Sequence, residues 1–172
     1  RYNEWNVDEL IYLDITREGN YVQRGIDQKN SNLQDPLQIL EVVSKTCFMP
    51  LTWGGKIQSV NDMRERIKRG ADKITINTAA FQQPELITEG AQVFGSQAIV
   101  VSIDVRRQSD DSLEVFIDGG RQPTGITAQA WAREVENRGA GEILLTSIDR
   151  DGTGDGYDLD LISQVAAVTN IP

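Results

Sequence analysis

Apolar residues along the chain fall into short runs separated by stretches with helical spacing. The runs predict strands at 9–15 (ELIYLDI), 49–55 (MPLTWGG), 73–77 (KITIN), 97–105 (QAIVVSIDV) and 142–148 (EILLTSI). The amphipathic stretches between them predict helices. One spans 36–46 and opens on Pro36, which suits a first helical position. One spans 59–69, with Ser59 as N-cap and Gly70 as its stop. A third spans 84–94 between Pro84 and Gly95. A fourth spans 127–138, beginning after Thr127 and ending at Gly139, and a fifth spans 158–168. Strand and helix alternate five times, as in a parallel sheet with crossover helices. The strand segments are apolar and β-branched, as expected of strands covered on both faces.

Two segments break this rhythm. Residues 17–35 (REGNYVQRGIDQKNSNLQD) form a long polar loop after the first strand. Residues 106–126 contain LEVFIDGG, which predicts a small hairpin inserted after the fourth strand.

The chain also echoes itself. ELIYLDITREG (9–19) lines up with EILLTSIDRDG (142–152): each opens on glutamate, runs through apolar residues and closes on Ile-x-Arg-acid-Gly. A repeat that joins the first strand to the fifth predicts two fourfold halves, hence an eightfold βα barrel. The opening RYNEWNVDEL reads like the tail of a helix feeding a strand. The closing TNIP resembles TCFMP (46–50), which leads into one. The expectation is one incomplete (βα)8 domain over 1–172, carrying about five to six of the eight units.

Composition narrows the functions. Of 172 residues, 39% are hydrophobic and 25% charged, enough for a packed core. The net charge of −9 argues against nucleic-acid binding, which needs a basic face. It leaves room for a small anionic substrate, because a few backbone N–H groups hold phosphate even in an acidic protein. A single cysteine, Cys47, rules out an internal disulfide and a Cys-rich metal site. With no histidine, Ser-His-Asp, Cys-His and His-ligated zinc chemistry are excluded within this chain. No apolar run approaches the roughly 20 residues of a membrane span. A cytoplasmic protein without metal or cofactor is the expectation.

In such barrels the site forms where strands end, in the loops that follow. The predicted ends supply Asp14 and Thr16; Gly54, Gly55 and Lys56; Asn77 and Thr78; Asp104; and Thr146, Ser147, Asp149, Asp151 and Gly152. Gly54 and Gly55 permit close approach of backbone to a ligand. Asn77 and Thr78 offer donors to phosphate oxygens. Asp104 follows the apolar IVVSI. Partial burial there would raise its pKa and suit acid–base work. An ion pair with Arg106 or Arg107 would do the reverse, and the sequence leaves both open. At the other strand ends, Glu9, Lys73 and Glu142 form either a charged ring around the barrel base or ordinary solvated strand starts. The run DRDGTGDG also allows a calcium loop, with Asp149, Asp151, Thr153, Gly154 and Asp160 at EF-hand-like positions. Gly156 replaces the expected aliphatic residue, position twelve is Asp, and the preceding run has the character of a strand.

With these residues assembled, the chain resembles the cyclase subunit of imidazole glycerol phosphate synthase. The likeness rests on DELIYLDIT, RGADKITINTAA, ITEGAQVFGSQAIVVSIDVRR and RGAGEILLTSIDRDGTGDGYD. It covers nearly the whole chain, from the family's second strand to the threshold of its seventh. The resemblance implies a (βα)8 barrel of two similar halves that takes ammonia from a glutaminase partner. It implies addition of that ammonia to a phosphoribulosyl-formimino aminoimidazole carboxamide ribotide. Lyase and cyclisation steps then yield imidazole glycerol phosphate and aminoimidazole carboxamide ribotide. Asp104 matches one of two catalytic aspartates; the other lies on the family's first strand. Asn77, Thr78, Asp151 and Gly152 match phosphate contacts, and Asp14 and Thr146 match pocket residues. Glu9, Lys73 and Glu142 match three ammonia-gate charges, and Asp72 matches a residue of the glutaminase interface. Two features depart from the family: Lys56 stands where a third glycine is expected, and the loop at 17–35 is longer. Both resemble a paralogous branch in which the barrel delivers ammonia for amidination of a surface-polysaccharide sugar.

Overall fold

Side chains that catch the free N–H groups of a first helical turn set where most of the helices begin. In the computed structural model, which describes residues 7–16 and 35–172, Asp35 accepts from the Leu37 N–H and starts α1 (Pro36–Ser44). Ser59 accepts from the Asp62 N–H and starts α2 (Val60–Lys68). Thr127 and Asp158 do the same for α5 (Ala128–Asn137) and α6 (Leu159–Ala166). Each such cap is worth about 1 kcal/mol. At the other ends, Gly70, Gly95 and Gly139 take the positive φ that stops a helix. The long loop predicted at 17–35 lies outside the described residues apart from Asp35, as do residues 1–6.

The chain divides into two compact units, Arg1–Ile74 and Thr75–Pro172. In the first, β1 (Leu10–Leu13) pairs in parallel with β2 (Leu51–Gly54), Tyr12 opposite Trp53. Those two rings stack with centroids 4.4 Å apart and planes 6° apart. Leu40, Leu51, Trp53, Met63 and Ile74 are buried around them. The strand β3 (Lys73–Ile76) begins in this unit. All four residues of β2 are buried, as the apolar runs predict. Strand β1 departs from that expectation: its side chains alternate, and Ile11 and Leu13 are 40% and 44% exposed. Side chains alternate between the two faces of a strand, and the face of β1 that carries Ile11 and Leu13 is the more open one.

In the second unit, β4 (Ile99–Arg107) is the spine. It pairs in parallel with β7 (Glu142–Ser147), with Asp104 opposite Thr146. Its alternate residues Ile99, Val101, Ile103 and Val105 are fully buried, and each such side chain contributes about 1.5–3 kcal/mol. Ala128, Trp131, Ala132 and Val135 of α5 are buried as well. Because side chains alternate along a strand, Ser102 and Asp104 share the opposite face of β4.

The predicted hairpin is present. β5 (Leu113–Ile117) and β6 (Gln122–Thr127) are antiparallel. It is also welded to the spine, because β4 runs on to Arg107 and β5 folds back along it, Asp104 opposite Phe116. Before α4 (Glu85–Phe94) lies a five-residue helix, α3 (Thr78–Gln82), which the spacing does not predict. Phe81 of α3 meets Trp131 of α5 edge to face at 5.1 Å. The described residues thus carry five strand–helix units, plus the hairpin. Its fold class is α/β, that of a partial (βα)8 barrel.

Candidate functional site

Within the first unit, the ends of β1 and β2 knit together. The Asp14 N–H donates to the Gly54 carbonyl at 2.8 Å. Its carboxylate then receives both groups of Thr16: the N–H at 3.0 Å and the hydroxyl at 2.6 Å, each on Oδ1. The Asp14 side chain is 5% exposed. Lys56 arches over this turn, its Nζ donating to Thr16 Oγ1 at 2.7 Å and lying 3.6 Å from Asp14 Oδ2. The Thr16 hydroxyl therefore accepts from the lysine and donates to the aspartate. Gly54, Gly55, Lys56 and Asp14 are brought together. Thr16 is what fastens them, and its place two residues after Asp14 is the signal for that turn.

At the opposite strand ends, Lys73 Nζ and Glu9 Oε1 form an ion pair at 2.5 Å. Beside it, Asp72 clasps the start of β2: its Oδ2 accepts the Leu51 N–H at 2.8 Å and its own N–H donates to the Leu51 carbonyl at 2.9 Å. Glu142 opens β7 in the second unit and is half-buried.

Within the second unit, Asp104 is the focus. Burial drives its carboxyl above the usual carboxylate range, and the charge of Asp151 pushes the same way. Hydrogen bonds from Asn77, Thr146 and Ser102 oppose the rise without cancelling it. The Asn77 amide donates to Oδ2 at 3.0 Å, and Ser102 Oγ lies 3.4 Å from Oδ1. The arginines that offered the competing ion pair turn elsewhere. Arg106 lies over the Phe116 ring at 4.7 Å, with its Nε 3.8 Å from Asp149. Arg107 binds Asp160 at 2.8 Å. Of the two readings the sequence left open, burial prevails. Ser102 was missed as a partner of Asp104, although period-two spacing on one strand would have found it.

After β7 the chain turns back on itself: the Asp151 N–H donates to the Ser147 carbonyl at 2.9 Å. Gly152, Gly154 and Gly156 all have positive φ, with open space where a Cβ would stand. A cavity of about 370 Å³ lies against this loop, lined by Thr146, Ser147, Arg150, Asp151, Gly152 and Tyr157 among others. The calcium reading of the loop is not favoured. The segment before it is strand β7, not a helix. Asp149 accepts the Arg107 N–H at 3.0 Å, and Asp160 is taken by Arg107 and Gln164. Among the described residues no three acidic, histidine or cysteine side chains are set to hold a metal ion.

Parallel strands alternating with helices, with acids, amides and glycines at their C-terminal ends, mark a protein of the (βα)8-barrel class. The chain belongs to the histidine biosynthesis protein family, whose model matches residues 1–172. It is 47% identical over 174 residues to imidazole glycerol phosphate synthase subunit HisF of Alkaliphilus metalliredigens (strain QYMF), a match covering 99% of this chain. It is 48% identical over 175 residues to the protein of that name from Natranaerobius thermophilus, covering all of this chain. It is 44% identical over 171 residues to that of Streptococcus mutans serotype c, covering 99%. The chain spans 64% of the length of each of these curated relatives.

Proposed function

We propose that the chain belongs to the ammonia-using cyclase and lyase barrel of an imidazole glycerol phosphate synthase, working beside a glutaminase subunit. Three relatives with 44–48% identity carry that enzyme's name. The observation that carries the reading is Asp104: a carboxyl at the loop end of a parallel strand, raised by burial and gripped by Asn77. A carboxyl raised by burial keeps its proton to higher pH than an ordinary carboxylate, which lets it serve as acid as well as base in a lyase and cyclisation sequence. In this reading Asp104 is one member of the acid–base pair. Asn77, Thr78, Asp151 and Gly152 contact substrate phosphate, and the open glycines of the loop give its oxygens backbone to approach. Asp14, Gly54, Gly55 and Lys56 in the first unit, and Thr146 in the second, are substrate-side residues at strand ends. Glu9 and Lys73 in the first unit and Glu142 in the second are charges at strand starts suited to an ammonia gate, and Asp72 is suited to the glutaminase interface.

The test is turnover of the ribotide substrate with ammonium as the nitrogen source, using the full-length protein. Formation of imidazole glycerol phosphate is expected, with its loss in Asp104→Asn. A folded protein that binds the ribotide but never releases that product would sink the assignment. The paralogous reading, amidination of a surface-polysaccharide sugar, would then be assayed in the same preparation.

A further inference from the structure

The hairpin is tied to the candidate acid–base group by a run of polar contacts through Thr78 and Asn77. Its tip is the tight turn Asp118-Gly119-Gly120, all three residues at positive φ. The Asp118 carboxylate is occupied by Arg121, at 2.7 and 3.1 Å. The Asp118 N–H points the other way and donates to Thr78 Oγ1 at 2.9 Å. With a donor already on its oxygen, the Thr78 hydroxyl directs its own proton to Asn77 Oδ1, 3.4 Å away. That contact fixes which end of the Asn77 amide faces Asp104. The NH₂ end does, and it donates to Asp104 Oδ2 at 3.0 Å. The reverse orientation would set a carbonyl oxygen against a carboxylate with no proton between them. The tip is held from below as well, with Arg106 donating to the Gly120 carbonyl at 3.3 Å.

We propose that Thr78 and Asn77 are positioning residues that lock the Asp104 carboxyl to the tip of the β5–β6 hairpin. The inference rests on the reading of Asp104 as the acid–base group and adds to it a way for the hairpin to act on that group. A hydroxyl holding Asn77 Oδ1 away keeps the amide donor aimed at Asp104, and a donor favours the ionised form. Removing the hydroxyl frees the amide to turn, and the protonated form gains. Within this unit the charge that faces Asp104 is Asp151, whose repulsion already favours the proton.

The test compares Thr78→Val, which keeps the shape and loses the hydroxyl, with Thr78→Ser, which restores it. Two quantities are read on the full-length protein with its partner: the titration of the Asp104 carboxyl carbon by NMR, and kcat and KM across pH. In Thr78→Val the titration is expected to move to higher pH. kcat should fall on the order of ten- to a hundredfold, since a misplaced group costs rate; KM rises as well through the lost phosphate contact, so the titration is the deciding readout. Thr78→Ser should return both toward the parent values. Should Thr78→Val not fold, Thr78→Ala is read against Thr78→Ser in the same way. An unmoved titration with a raised KM would overturn the proposal and leave Thr78 a phosphate contact only. A titration that moves while kcat holds would support the lock and remove Asp104 from the chemistry, so the two readings fail separately.

Discussion

A Cβ placed on Gly55 would stand 2.2 Å from the carbonyl oxygen of Asp14. That backbone oxygen has no freedom to retreat, because the Asp14 N–H is bonded to Gly54 and its carboxylate to Thr16. The φ of Gly55 is +96°, outside the range that side chains favour. Gly55→Ala combines the clash with that strain and is expected to cost on the order of 2–4 kcal/mol. Chemical denaturation of the variant measures this. A loss under about 0.5 kcal/mol, within the ordinary range for surface changes, would mean that the β1–β2 loop ends are not held together as described.

Lys56 has φ of +54°, a conformation that costs a side chain about 1–2 kcal/mol. Its ammonium gains contacts with Thr16 and Asp14 in return. Two substitutions separate these effects. Lys56→Met keeps the strain and loses the ammonium; Lys56→Gly loses both. The glycine variant is expected to be the more stable of the two by about 1 kcal/mol in denaturant midpoints. If methionine is the more stable, the backbone at 56 is not left-handed in solution.

Burial raises the Asp104 carboxyl above its value in an unfolded chain. The folded form therefore holds its proton more tightly. The resulting stabilisation is complete below the unfolded carboxylate range, near pH 4. It is lost as pH rises through the folded value, leaving an ionised group that the fold tolerates poorly at neutral pH. Asp104→Asn should thus stabilise the fold at pH 7 relative to pH 4 while lowering kcat by about 10²–10⁴-fold. Thermal unfolding at the two pH values, set beside a turnover assay, reads both. Unchanged kcat would take Asp104 out of the reaction. An equal stability change at the two pH values would show that its carboxyl is not raised.

Much of this is written in local pattern. Among the described residues, five of the seven strands and five of the six α-helices follow from apolar spacing and from caps such as Ser59 and Thr127, whose effect acts within three residues. The repeat of ELIYLDITREG at 142–152 points to the barrel because one strand–loop solution serves twice. What stayed hidden was decided by partners distant in sequence. Whether Asp104 meets Arg107 or Asn77 depends on where Asp149 and Asp160 draw the arginine, and those residues lie 42 and 53 positions beyond Arg107. The tie from Asp118 to Thr78 spans 40 positions. Helix α3 has no capping side-chain bond at Asn77, so the usual start signal is missing. Strand β1 reads as fully covered because its residues are apolar, yet residue type alone does not say which of its two faces is packed.

The loop after β7 offers a last check, because its acids are arranged to hold arginines rather than a cation from solution. Arg107 donates through its N–H to Asp149 and through its guanidinium to Asp160, and lies 3.8 Å from Asp158. Its guanidinium is bound more firmly for this, and the carboxyl of Asp160 is held below the usual range, first by that arginine and then by Gln164. A calcium ion would have to displace Arg107 from two carboxylates to gain ligands of its own. Titration calorimetry with calcium should therefore show no binding in the micromolar range of calcium sensors. Asp149→Ala should leave that null result unchanged. It should instead loosen the start of the loop by about 1 kcal/mol or less, as for a half-exposed charged contact. Micromolar calcium binding that disappears in Asp149→Ala would show that these carboxylates form a cation site, and the arginine contacts would then be the arrangement that gives way.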